Sequence, residues 1–307
     1  MALLLREADV ERLVDMDVVM ASVESAARDF GEGKAENQPR RRVMAPGGLL
    51  SVMFASYPGA GYTGLKAYTA AAGKVRFLVV LFNLDGSAAG LIEADLMGAF
   101  RTGAATGVAA RALARPGPQT VAVIGAGWQA RTQVLALKRA LPVRELRVFS
   151  RDSERRRRFA DEMGAVAAPS AEAAVRGASV VVTITNSAQP VLESEWVEAG
   201  TTVVGAGTNF PTRSELPAEL VRRADLVVVD QVEAARLESG DLIQAGFDFE
   251  KAVELGAVLA GKAPGRRSDQ DVVLFESHGL ALWDLAAGAV VLEAARKAGV
   301  GEEVPLF

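Results

Sequence analysis

The sequence predicts an α/β protein in which a doubly wound parallel sheet of Rossmann type is set into a second, α+β domain. Three observations carry that expectation. The stretch Thr120–Ala130, TVAVIGAGWQA, reads as a short apolar strand, a glycine turn and the opening of a helix that reaches about Leu141. After it, strand-like and helix-like segments alternate as a doubly wound fold requires. Before it lie apolar runs separated by turn signals, the pattern of an antiparallel β region.

Taken in order, residues 17–30 place Val19, Val23, Ala26, Ala27 and Phe30 at helical spacing, with Asp17 as the expected N-cap and Gly31 as the stop. Gln38-Pro39-Arg40-Arg41-Arg42 follows, then strand-like LLSVMFASY and a glycine-rich turn. Gly64–Ala70 and Val75–Leu84 read as further strands, with Asp85-Gly86 as a hairpin signal. From Ala94 to Ala114 the chain is helical and rich in small residues until Arg115-Pro116-Gly117-Pro118 breaks it. Beyond the glycine turn, strands are expected at Glu145–Ser150, Val180–Thr185, Thr201–Gly205 and Leu226–Val229, with Asp152 and Ser170 as helix N-caps. An apolar helix runs from about Gly279 to Gly299. Its return to the first domain would give residues 1–116 plus about 280–307 as one domain, and 117–279 as the nucleotide domain.

Composition narrows the function. Half of the 307 residues are hydrophobic, enough for a large core. A net charge of −4 argues against nucleic acid as a partner. The chain has no cysteine, which excludes disulfides, thiolate catalysis and cysteine-ligated zinc. The one histidine, His278, cannot build a metal cluster alone, and no metal is expected. The apolar run in MALLLREADVE is too short for a signal peptide, and Asp284 interrupts the longest candidate for a membrane span. A cytoplasmic protein with no membrane partner is therefore expected.

The residues that point to chemistry begin with Gly125-x-Gly127-x-x-Ala130, the dinucleotide fingerprint. Gly125 permits the tight turn, Gly127 lets backbone approach a pyrophosphate, and Ala130 keeps the helix close to the sheet. The helix N-terminus, with Trp128 and Gln129, offers N–H groups and a positive dipole end to the phosphates. At the end of the next strand, Ser150-Arg151 stands where an NAD enzyme usually has an acid for the ribose hydroxyls. A hydroxyl and a guanidinium suit a 2′-phosphate, so NADP(H) is favoured over NAD(H). The run Arg155–Arg158 reads as a solvated helix face. Thr185-Asn186, at a strand end, is expected to line the cofactor site. Lys66 lies among apolar and small residues, and Arg101-Thr102 opens the small-residue helix. Two such cations can hold a carboxylate or polarise a carbonyl or imine, although spacing alone does not separate them from ordinary surface cations.

The collinear stretches QPRRRV, GLKAYT, FRTGAATG, VIGAGWQA, GAGTNFPTRSEL, ESGDL and HGLALWD resemble the ornithine cyclodeaminase/mu-crystallin family over nearly the whole chain. The resemblance implies a dinucleotide domain inserted into a substrate-binding domain whose sheet also forms a homodimer interface. It implies that an arginine of the Arg40–Arg42 run, with Arg41 fitting the family spacing, holds the substrate carboxylate. It likewise makes Lys66 the active-site lysine and Arg101 a second carboxylate ligand, with Thr102 beside the cofactor. Family members include ornithine cyclodeaminases, alanine dehydrogenases, ketimine reductases and ligand-binding proteins. Where the first two carry an aspartate, this chain has Asn209, and an amide cannot act as a general base near neutral pH. The resemblance thus points to an NADP(H)-dependent oxidoreductase working on the C–N bond of a small amino or imino acid. Reduction of a cyclic ketimine carboxylate such as pyrroline-2-carboxylate is the expected reaction, ahead of ornithine cyclisation, alanine-type dehydrogenation or non-catalytic binding.

Overall fold

The computed structural model describes residues 1–306. The chain divides into two compact units, Met1–Ala104 with the segment from Gly279 onward, and Ala105–His278. The helix Asp95–Leu113 runs from the first into the second, so the division falls inside it, at Ala104–Ala105, rather than at the breaker 115–118.

The first unit is built on β1 (Ala2–Leu5), β2 (Glu36–Ala45), β3 (Gly48–Tyr57), β4 (Tyr62–Ala71), β5 (Lys74–Asn83) and β6 (Ala88–Glu93), joined by the last strand of the chain, β15 (Glu302–Val304). The sheet order is β15-β1-β6-β5-β4-β3-β2, antiparallel throughout except between β1 and β6. The helix Met16–Glu32 packs with the helix Ala281–Ala298, which in turn lies on β3, β4 and β5. The first of these helices is capped two residues before the expected position. Asp15, not Asp17, accepts the Val18 N–H at 3.0 Å, and Gly33, not Gly31, ends the helix in the left-handed region. Strand alternation puts Met53, Lys66, Val79 and Leu81 on the helix-covered face, all buried. Leu50 and Phe54 point to the other face and are 39% and 50% exposed.

The second unit holds β7 (Gln119–Ile124), β8 (Val143–Phe149), β9 (Val166–Ala167), β10 (Val180–Thr183), β11 (Thr202–Gly205), β12 (Leu226–Val229), β13 (Val253–Glu254) and β14 (Val273–Glu276). They form one sheet in the order β13-β12-β14-β11-β10-β7-β8-β9, with every pairing parallel. The central strands are valine-rich and buried along their whole length, as a sheet covered on both faces demands. Asp152 and Ser170 cap their helices through Arg155 N and Ala173 N, as the sequence predicts. The strand order reverses at β7, with β8 on one side and β10 on the other. The crevice beyond their C-terminal ends is where doubly wound sheets bind ligands. Among the described residues no helix is long and apolar enough to cross a membrane.

Candidate active site

In the second unit a cleft of about 900 Å³ opens at that crevice. Its floor is the glycine turn. Gly125 has φ of +126°, and a Cβ there would strike the carbonyl oxygen of Ile184, so neither the backbone angle nor the space admits a side chain. The Gly125 N–H donates to the Phe149 carbonyl at 2.9 Å, which pins the turn to the end of β8. A Cβ on Gly127 would meet no protein atom within 4 Å, and Gly127 lines the cleft. The space beside it suits a group that approaches backbone closely. The helix Trp128–Ala140 begins there with no side-chain cap, leaving its first N–H groups for a ligand. These features fit a dinucleotide pyrophosphate.

Of the sequence-predicted cofactor residues, Gly125, Gly127, Trp128 and Gln129 line this cleft, as do Ser150, Arg151, Thr185 and Asn186. Ala130 is fully buried under the turn. Thr102 lies in the first unit and donates its hydroxyl to the Gly98 carbonyl at 2.8 Å, a bond within its own helix. The arginine run is not uniformly solvated. Arg155 lines the cleft beside Arg151, while Arg156 stacks over the Phe149 ring at 5.1 Å and donates to the Ser150 carbonyl at 3.0 Å. Asp152, among the described residues the one acid lining the cleft, accepts from Arg155 N in its helix cap.

In the first unit a buried charge cluster forms around Lys66. Its ammonium donates to Asp284 Oδ1 at 2.8 Å, and Arg101 Nε donates to the same oxygen at 3.0 Å. All three side chains are buried, Lys66 at 2% exposure and Asp284 at 0%. Burial pushes the Lys66 pKa down to about 8; the Arg101 and Arg40 charges push the same way, and Asp284 only partly offsets them. The aromatic pair Tyr68–Phe77, with ring centroids 5.0 Å apart, links the cations: Arg40 lies over Tyr68 at 5.9 Å and Lys66 over Phe77 at 4.8 Å.

This geometry corrects the choice within the arginine run. The β2–β3 register shifts between Gln38 and Arg41, so Arg41 pairs with Val52 while Lys66 pairs with Met53. Neighbouring positions on β3 face opposite sides. Arg41 is therefore exposed on the face away from Lys66, whereas Arg40, only 5% exposed, lies over Tyr68 on the Lys66 face, and Arg42, paired with Ser51, points to that face too. Asn209 is half-buried in the turn after β11. Among the described residues no group of three His, Asp or Glu could hold a metal ion.

The sequence reading missed Asp284, which it treated only as an interruption of an apolar run, and gave Glu215 no role. Glu215 is fully buried, and its carboxylate accepts from Thr185 N, Thr185 Oγ1 and Gly207 N at 2.7, 2.6 and 2.7 Å. A polar residue inside an otherwise apolar segment was the available signal for Asp284, whereas Glu215 sits in the polar stretch PTRSEL and carries no such signal.

The whole-chain comparison decides the family. Residues 1–299 match the model of the ornithine cyclodeaminase/mu-crystallin family. The chain belongs to that family. It is 33% identical to the alanine dehydrogenase of Archaeoglobus fulgidus, with 99% of this chain and 98% of that protein aligned. It is 30% identical to the ketimine reductase mu-crystallin of Macropus fuliginosus over 94% of this chain and 96% of the relative. Among solved structures, the Thermococcus litoralis Δ1-pyrroline-2-carboxylate reductase in complex with NADH and L-proline superposes with a TM-score of 0.92 at 28% identity, covering 98% of this chain and 100% of that one.

Proposed function

We propose that this enzyme reduces the C=N bond of a small cyclic imino acid with a carboxylate next to the imine carbon, such as pyrroline-2-carboxylate, and takes its hydride from NADPH in preference to NADH. The observation that carries this reading is the buried group of cations around Lys66. The Arg101 and Arg40 charges repel the Lys66 ammonium, and the carboxylate of Asp284 only partly offsets them. An anion that joins such a group lowers the cost of burying it. A substrate carboxylate supplies that anion, and the arginine forks can hold it in a fixed orientation.

A bound reduced nicotinamide supplies the hydride to the imine carbon, and the nitrogen carries a proton taken from solvent, so the product is the cyclic amino acid. Arg40 and Arg101 bind and orient the carboxylate. Lys66 places a positive charge in the same pocket, and Asp284 fixes both Lys66 and Arg101 by accepting from each on one oxygen. Asn209 orients by hydrogen bonding but moves no proton. The relatives named for pyrroline-2-carboxylate and ketimine reduction support this direction of reaction. Ser150, Arg151 and Arg155 support the choice of NADPH by offering hydroxyl and guanidinium donors to a 2′-phosphate.

The test is loss of reduced-nucleotide absorbance with pyrroline-2-carboxylate, piperideine-2-carboxylate, and pyruvate plus ammonia, each with NADPH and with NADH. Turnover of a cyclic imine with NADPH is the expected result. Efficient conversion of ornithine to proline with release of ammonia, and no imine turnover, would overturn the reading.

A further inference from the structure

Glu215 touches no surface of the nucleotide cleft, yet both loops that wall one side of it end on its carboxylate. Thr185 follows β10 and Gly207 follows β11, and both line the cleft. One Glu215 oxygen accepts from the Thr185 N–H and hydroxyl, the other from the Gly207 N–H. The Thr185 hydroxyl in turn accepts from Ser187 N at 3.1 Å, which extends the hold to a third lining residue. Gly207 is glycine because the carboxylate occupies the space: a Cβ there would run into Glu215 Oε2 and Thr185 N. Glu215 is itself fixed. Asp241 Oδ1 accepts from Ser214 Oγ, Glu215 N and Leu216 N at 2.8, 2.7 and 2.6 Å, and Val191 N donates to the Glu215 carbonyl at 2.9 Å.

We propose that Glu215 is a positioning residue of the nucleotide cleft: as a carboxylate it holds the Thr185–Ser187 and Gly207 loops in the shape that receives the cofactor, and on protonation it releases them. This rests on the nucleotide-dependent reading above. The chemistry of the partners favours the carboxylate. Two of the three groups that donate to it are backbone N–H groups, which can only donate, and a proton on either oxygen removes the charge that strengthens those bonds and takes up one lone pair. The group also titrates in the working range. Burial raises its pKa to about 7, the neighbouring Asp241 adds to the rise, and the bonds from Thr185 and Gly207 oppose it. Glu276, at the end of β14, faces from the other side, its own pKa raised well above the ordinary carboxylate value by burial, with Asp241, Glu215 and Asp230 adding to the rise, and His278 packs between Glu276 and Asp230. The Arg213 guanidinium is turned to the surface, where it donates to the Asn186 carbonyl at 3.3 Å.

The experiment is the Kd of NADH, read by fluorescence from about pH 6 to about pH 9, bracketing the Glu215 value. NADH is the probe because it lacks the 2′-phosphate that would titrate in the same range. In the unmodified protein NADH affinity is expected to be flat above pH 8 and to weaken below pH 7, approaching about tenfold per pH unit if only the carboxylate form binds. Glu215→Gln should bind about tenfold more weakly at pH 8, the worth of one charge-assisted hydrogen bond, and should show no acid limb. Glu215→Asp keeps the charge and should keep the limb. Tight binding by Glu215→Gln at pH 8, or an acid limb that survives in it, overturns the proposal. If Glu215→Gln does not fold, an NADH Kd of the unmodified protein that is flat across the range overturns it. Nucleotide binding without the limb leaves the functional reading standing; no binding at any pH removes both.

Discussion

A lysine ammonium buried beside two guanidiniums is held in place against its own electrostatics. Below about pH 8, Lys66 is charged in the folded and unfolded chains alike, and the penalty of burying it is fully in force. Between about 8 and 10.5 the unfolded chain keeps a proton that the folded chain has released, so the stability owed to this residue rises with pH across that window. The penalty at neutral pH is about 3 kcal/mol. Lys66→Met fills similar volume and leaves Asp284 to Arg101 without the competing ammonium. It should therefore raise the thermal midpoint at pH 7, gain less as the pH approaches 10, and lose imine reduction. A lowered midpoint at pH 7 would show that the ammonium stabilises the fold. The same cluster separates the two arginines of the run. Arg40→Ala should raise KM for the imine carboxylate by about ten- to a hundredfold, the loss of a charge-assisted contact, whereas Arg41→Ala should change it little. Equal effects from steady-state kinetics would contradict the register that places Arg41 on the far face.

At the scale of the element, the turn after β8 sets the choice of nucleotide. Ser150, Arg151 and Arg155 line the cleft there with hydroxyl and guanidinium donors, and Asp152 puts its Oδ1 into the helix cap with its charge beside the Arg155 guanidinium. NADPH is expected to bind about ten- to a hundredfold more tightly than NADH. Arg151→Ala should remove most of that ratio and Arg155→Ala a smaller part, measured as the two Kd values side by side; equal Kd values in the unmodified protein would refute the assignment. The glycine turn, the alternation after it and the caps at Asp152 and Ser170 were legible in the sequence because each depends on neighbours a few residues away. Other elements were not. β2 carries Pro39, which argues against a strand, but β2 is the edge of its sheet, where a missing N–H costs no ladder bond. Central β14 is a four-residue apolar strand after a polar loop, too short to show a period. The bulge that turns Arg40 rather than Arg41 toward Lys66 is a matter of pairing with β3. The Lys66–Asp284 bond joins residues 218 positions apart. Neither follows from local pattern.

At the scale of the whole molecule, the face of the first unit's sheet opposite the helix Ala281–Ala298 keeps apolar side chains exposed. Val43 pairs with Leu50, and Phe54 pairs with Leu65, which pairs with Val80, so these apolar side chains form adjoining rows. Val43, Leu50 and Phe54 are 62%, 39% and 50% exposed. An apolar sheet face of this kind marks an interaction surface. The β2 edge is poorly suited to strand addition, since Pro39 lacks a donor and Arg41 is charged and exposed, which directs a partner to the face. A second copy would present the same rows and meet them by two-fold symmetry. We therefore expect a homodimer through residues between about 40 and 90. Phe54→Asp puts two facing carboxylates at its centre and should halve the mass seen by sedimentation equilibrium at micromolar concentration. Phe54 lies on the face opposite Lys66 and in a different unit from the nucleotide cleft, so the variant should keep its NADH Kd. An unmodified protein that sediments as a monomer would refute the interface, and a Phe54→Asp variant that remains dimeric would move it to another surface.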